Sequence, residues 1–160
     1  MPQPPVTHIV SSLKFQISEV IADSVIAVAR EHNTLPMSVA ILDSGGHLMN
    51  FKREDGASLL RAEISFGKAY AVLGMGMSSR TIRDVFNDRP VFQNAIATAS
   101  SGRFIPVPGG VSIINEEGLI IGAVGVSGDS SECDEFCAIK GIEAAGLSSN
   151  PAELDTSWMT

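Results

Sequence analysis

No apolar run in this chain approaches the roughly 20 residues that a membrane-spanning helix needs. The start, MPQPPVTHIV, has neither the basic end nor the apolar centre of a secretory signal. Two cysteines in 160 residues argue against a small scaffold held by disulfides. Basic residues are scarce: 11 Lys and Arg face 18 Asp and Glu, a net charge of −7, which argues against nucleic acid as a partner. Internal repeats, linkers and low-complexity tracts are absent as well. A soluble, cytoplasmic protein with no membrane attachment is the expectation. What the chain does have is 44% hydrophobic residues, enough for one compact domain with its own core. Its charge is unevenly placed. From Phe51 to Arg103 eight basic residues stand against five acids; from Phe104 onward Lys140 alone faces nine. Such asymmetry suits an anion-attracting pocket or complementary faces between subunits, and ordinary solvated charge explains it equally well.

Residues 1–14 read as a proline-containing extended arm, 15–147 as the folded domain, and 148–160 as a loose tail or an arm that docks on a neighbour. Ile17, Ile21, Val25 and Val28 recur at helical spacing, and Asn33 and Pro36 supply a stop. MSVAILD, the SGG turn and HLMNFKRE form a β-hairpin. A long helix follows over LLRAEISFGKAYAVLGMGM, then two short ones for which Ser79 and Asp88 are the expected caps. VSIIN, the EEG turn and LIIGAVGV make a second hairpin, and SSECDEFCAIKGIEAAGL a closing helix. Two hairpins imply an antiparallel sheet, so the expected class is α+β, with helices packed on one face.

The segment from Pro106 to Phe136 holds six glycines. It lacks the Gly-Lys-Ser/Thr of a phosphate-binding loop. Asp129, Glu132, Asp134 and Glu135 already occupy the field of the following helix start and would repel a phosphate. Asp129 with Glu132, or Ser131 with Asp134, has the spacing of a capping box. Ser127 in GVSGD fails the nucleophile-elbow pattern, because Asp129 stands where glycine is required. Gly109 and Gly110, after Pro108, would offer bare peptide N–H groups to a carboxylate or carbonyl oxygen. A strained turn without any ligand explains them equally well.

VAILDSGGHLMNFKREDGA, GKAYAV, PGGVSI, GLIIGAVGVSG and DEFCAIKGIEAAGL occur in an order that resembles the GlcG/HbpS family. The resemblance spans Phe15 to Leu147. It implies an α+β domain that assembles into dimers or larger rings, in a family where some members bind haem and others sit in catabolic gene neighbourhoods. On this sequence the family's motifs fall on Asp43, Gly45 and Gly46, on Arg53, Asp55, Gly56 and Ala57, and on Lys68 and Ala69. They continue at Pro108, Gly109 and Gly110, then at Gly125 to Gly128 and Asp134. Ala71 and Ser112 depart from the family pattern of Thr and Pro, and both change the polarity of a pocket wall.

Haem needs an axial ligand, most often His, Cys, Met or Tyr. His8 lies in the arm and could be supplied to a neighbouring copy. His47 lies in a hairpin turn. His32 extends the stripe of Ile21, Val25 and Val28 and is the candidate ligand, although an imidazole there also satisfies helix-end carbonyls. Without C-x-x-C-H, covalent attachment is not expected. Cys133 and Cys137 are four apart on the last helix and read as core residues, since no further ligands accompany them. No metal site is expected. Arg53, Asp55, Arg61, Glu63 and Lys68 form the densest polar set, explained equally by ion pairs that hold the fold.

Two functional readings follow, and whether the protein is an enzyme stays open between them. One is an oligomeric protein that binds haem or a related small ligand near a subunit interface. Its pocket would be lined by Arg53, Asp55, Arg61, Pro108, Gly109 and Gly110. The other is a cofactor-independent isomerase, lyase or hydrolase acting on a small oxo- or hydroxy-acid in catabolism. There Arg53 would hold the carboxylate, and Lys68 or Asp134 would move the proton. A structural or regulatory subunit with no small ligand is the third possibility.

Overall fold

The computed structural model describes residues 1–160. Helix α1 (Phe15–Glu31) buries Ile21, Ala22, Val25 and Ala29 as one stripe. It ends where Asn33 takes a left-handed φ of 54°. Strands β1 (Ser38–Asp43) and β2 (Leu48–Arg53) form the first hairpin. After α2 (Arg61–Met75) come two short helices, α3 (Ser79–Phe86) and α4 (Pro90–Ala99). The second hairpin, β3 (Gly110–Ile114) and β4 (Ile120–Ser127), leads into α5 (Ser131–Ala144). No helix is long and apolar enough to cross a membrane.

The expected helix caps sit one residue away from where spacing put them. Ser78, extended at φ −61° and ψ 154°, caps α3 by accepting from Thr81 N. Ser79 is already helical, and its hydroxyl is tied to Gly110. Helix α4 starts after Arg89 instead of Asp88, with Pro90 in its first turn. Neither expected capping box forms at α5. Ser130 caps it by accepting from Cys133 N, while the Asp134 carboxylate turns back to the preceding loop. Ser78→Ala is therefore expected to cost about 1 kcal/mol. A lowered urea midpoint with unchanged slope would register it.

All neighbouring strands pair antiparallel, in the order β2-β1-β4-β3-β5. The α+β class and both hairpins are as expected, but the helical cover is two-sided. Val124 and Val126 point into the main core with α1 and α5. Ala123 and Leu42 point the other way, against Ala69 and Val72 of α2. Strand β4 can be buried on both faces because glycine and alanine alternate with its valines, so α2 comes down close to the backbone.

Residues 148–160 do not lie loose or wait for a neighbour. Ser148–Asn150 form β5 on the edge of β3. A 3-10 turn, Ser157–Met159, brings Trp158 edge-on to Phe136 and His32. Packing of the partly buried Trp158 on Phe136 at the core's edge is what fastens the tail. Residues 1–12 of the arm are exposed, and Leu13 is buried in the core.

Candidate functional site

Lys68 and Asp134 meet in the interior, 66 positions apart in the chain. Helix α2 lies over β4 and points Lys68 at the start of α5. There Nζ donates to Asp134 Oδ2 at 2.7 Å and to the Val126 carbonyl at 2.9 Å. Asp134 Oδ1 accepts from the N–H groups of Gly128 and Asp129, each at 3.0 Å. The side chains are 2% and 1% exposed. Burial pushes the Lys68 ammonium below its usual range, and Asp134 and its hydrogen bond pull it back. Burial likewise pushes Asp134 up, against the attraction of Lys68. Sealed in this way, the pair ties α2 to the β4–α5 corner.

Arg61 joins this group from the first turn of α2, where Nη1 donates to Ser127 Oγ at 3.2 Å. The Pro-Gly-Gly corner closes over the pair. A Cβ on Gly109 would lie 2.7 Å from Lys68 Nζ, and one on Gly110 would run into the Lys68 carbonyl oxygen. Gly109 has a φ of 118°, which only glycine adopts readily. The Gly110 N–H, expected to be bare, donates to Ser79 Oγ at 2.8 Å. Pro108 is buried. These glycines therefore give passage to α2 and to Lys68.

Other candidates stand apart. Arg53 donates to the Ala57 carbonyl through Nε and Nη2, at 3.2 and 2.7 Å, which shapes the β2–α2 loop. Asp55 is exposed. His32 lies on the α1–α5 side of the sheet, edge-on to Phe136 at 5.3 Å and to Trp158 at 5.5 Å. Cys133 and Cys137 are both in the main core. The Cys137 thiol is pushed up, first by its hydrogen bond with Cys133 and then by burial.

A second buried carboxylate, Glu135, accepts from Arg80 Nε at 2.8 Å and also from Nη2 of the same guanidinium. Its other oxygen, Oε2, has no partner. Burial raises its pKa above the usual 4.5, opposed by Arg80. The folded state thus holds this proton to higher pH than the unfolded chain, and the associated stability fades as pH rises above 4.5. Glu135→Gln, which cannot ionise, is expected to lose less stability than the parent over that rise. Urea midpoints measured from pH 4.5 upward would show the two curves converging or crossing.

The largest cleft lies elsewhere, on the α2 side of edge strand β2. It measures about 460 Å³ and is lined by Leu48, Phe51, Ala62, Glu63, Phe66, Ser101, Gly102 and Arg103. Leu48 and Phe51 share a face because a bulge opposite Ile41 and Leu42 interrupts the alternation of β2. Phe66 stacks on Tyr70 at 5.8 Å, and the Arg103 guanidinium lies 4.3 Å over the Tyr70 ring. The result is an apolar, aromatic slot with one cation at its rim. Glu63 is its one member from the polar set singled out in the sequence. Exposed apolar residues at the β2 edge are the signal that points to it.

Comparison with known proteins places this architecture. The family described as "Haem degrading protein HbpS-like" matches residues 13–143. Protein GlcG of Escherichia coli strain K12 is 36% identical over 118 residues, covering 71% of this chain and 83% of that protein. Among solved structures, a PduOC:heme complex superposes with a TM-score of 0.77 at 24% identity, covering 87% of this chain and 98% of the other. HbpS superposes with a TM-score of 0.71 at 20% identity, covering 86% and 92%. At such identities these two structures share the fold.

Proposed function

The chain belongs to the HbpS-like family, and on that premise we propose that it binds haem or a related flat, carboxylate-bearing small molecule in the β2–α2 cleft. The observation that carries this reading is the pairing of Phe51 and Phe66 walls with Arg103 at the rim. Aromatic and aliphatic walls suit a macrocycle, and a guanidinium suits its carboxylate. Haem would supply redox or oxygen chemistry when bound; the chain's part is to hold the ring and exclude water. None of the eight lining residues is His, Cys, Met or Tyr, so a strong axial ligand would come from outside the cleft. His8, in the exposed arm, is free to be offered by a neighbouring copy. His32 faces the other side of the sheet.

Assembly into a homo-oligomer belongs to the same proposal. Leu48, Phe51, Leu59 and Leu60 are 54%, 40%, 80% and 62% exposed, an apolar rim that a second copy would cover. The proton-moving alternative has less support, because Lys68 and Asp134 are already committed to each other and to backbone partners, which leaves neither free to move a substrate's proton.

Titration with hemin is expected to give a saturable shift of the Soret band. Arg103→Ala should weaken binding roughly tenfold, the loss of one charge-assisted contact. His32→Ala should leave binding unchanged. A flat titration of the parent protein would sink the proposal.

A further inference from the structure

Around the first turn of α2, hydrogen-bond donors outnumber acceptors. The helix starts at Arg61 with no side-chain cap, and no backbone partner takes the N–H groups of Ala62 and Glu63. Ser38 and Ser127 stand opposite each other on β1 and β4. Both lie on the face that α2 covers, since Leu42, four residues beyond Ser38, packs against Ala69 and Val72. Both serines are fully buried. Ser127 Oγ accepts from Arg61, which leaves its own proton free to donate. Ser38 Oγ has no partner at all.

The nearby acids do not balance this set. Asp134 is occupied by Lys68 and by two loop N–H groups. Glu63, in the first turn of α2, is exposed and lines the apolar cleft. Glu54 is paired with Arg30 and accepts from Met37 N. The half-buried Arg61 guanidinium has one hydrogen bond, to Ser127, and no ion pair. Counting Arg61 and Lys68 against Asp134 leaves one positive charge over.

We propose that this end of α2 binds one carboxylate group of a small molecule. Arg61 would grip it, and the Ser38 and Ser127 hydroxyls and the uncapped helix start would supply further donors. A guanidinium fork matches a planar carboxylate, and a helix N-terminus favours negative charge. One negative charge balances the excess, whereas a dianion would reverse it. The unpartnered Ser38 hydroxyl is the buried group that an apolar ligand would leave unexplained. This site does not depend on the haem reading.

The probe is sodium acetate, added to the full chain, with sodium chloride and sodium sulfate at matched ionic strength as references. Amide chemical shifts are followed by NMR. Saturable shifts are expected at Ala62, Glu63 and Ser127, with a dissociation constant on the order of millimolar for so small a ligand. Arg61→Gln should weaken binding at least roughly tenfold. Ser38→Ala should leave the thermal midpoint of the free protein unchanged or raised, since it removes an unsatisfied hydroxyl, yet weaken acetate binding several-fold. That opposite movement of stability and binding is what a purely structural serine would not show, and it keeps the test sound if Arg61→Gln fails to fold. Absence of saturation overturns the proposal, and so does acetate binding unchanged in Ser38→Ala. A response to sulfate equal to that for acetate overturns the assignment to carboxylates.

Discussion

Replacing Asp134 with alanine is expected to lower the unfolding free energy by about 3–5 kcal/mol. The change strands the Lys68 ammonium, only 2% exposed, and removes the acceptor of the Gly128 and Asp129 N–H groups. Lys68→Met should be milder at low pH. The carboxyl left behind can take up a proton, and it still accepts from the two loop N–H groups. Burial already raises Asp134 above its usual range, and loss of Lys68 removes the largest opposing attraction. A carboxyl with a raised folded pKa binds an extra proton in the folded state. Lys68→Met is therefore most stable below the unfolded value near 3.8 and loses stability as pH rises through the folded pKa. Combining Lys68→Met with Asp134→Asn leaves the pair uncharged but keeps an acceptor for the loop, and it should recover most of the loss. Urea denaturation at pH 3.8 and at steps above it would separate the three variants. A cost for Asp134→Ala under about 1 kcal/mol would mean that the pair is open to solvent, and it would revive the view of Lys68 and Asp134 as groups that move protons for a substrate.

Much of this architecture is legible in the sequence, for reasons that differ from element to element. The stripe of α1 and the two hairpins follow from local period and turn chemistry, which act within a short stretch of chain. Of the polar set read in the sequence, Arg61 and Lys68 come together, and Asp134, singled out separately, joins them. That Arg53 stays in its own loop is not visible, because the choice of an Ala57 carbonyl over a distant carboxylate is settled by backbone geometry. The cleft at Phe51 and Phe66 is hidden for another reason. Strict alternation would put Leu48 and Phe51 on opposite faces, and a one-residue bulge brings them together. The side of the sheet that α2 takes lies in the glycines of β4, which read equally as openings for a ligand and as passage for a helix.

Those glycines carry the other large prediction. Gly110 and Gly125 are register partners on β3 and β4. A Cβ on Gly125 would overlap the Ser65 carbonyl oxygen outright and lie 2.8 Å from the Ala69 nitrogen, both backbone atoms of α2. No side-chain rotation relieves such an overlap; the helix has to lift from the sheet. Lifting it would open the packing of Ala69 and Val72 on Leu42 and Ala123, and would strain the Lys68–Asp134 and Arg61–Ser127 bonds together. Gly125→Ala is expected to cost more than about 4 kcal/mol, the exceptional range for a single substitution. Gly74, in α2 itself, is the internal control. Nothing lies within 4 Å of a Cβ there, so Gly74→Ala should stabilise the protein by about 0.5–1 kcal/mol through helix propensity. Thermal and urea unfolding of the two variants would then move in opposite directions. If Gly125→Ala unfolded like the parent, the close contact of α2 with β4 would be wrong, and with it the sealing of Lys68. If the expected loss is found, the glycine run after Pro108 acts first as the seat of a helix, and the donors around Arg61 are set in place by that seat.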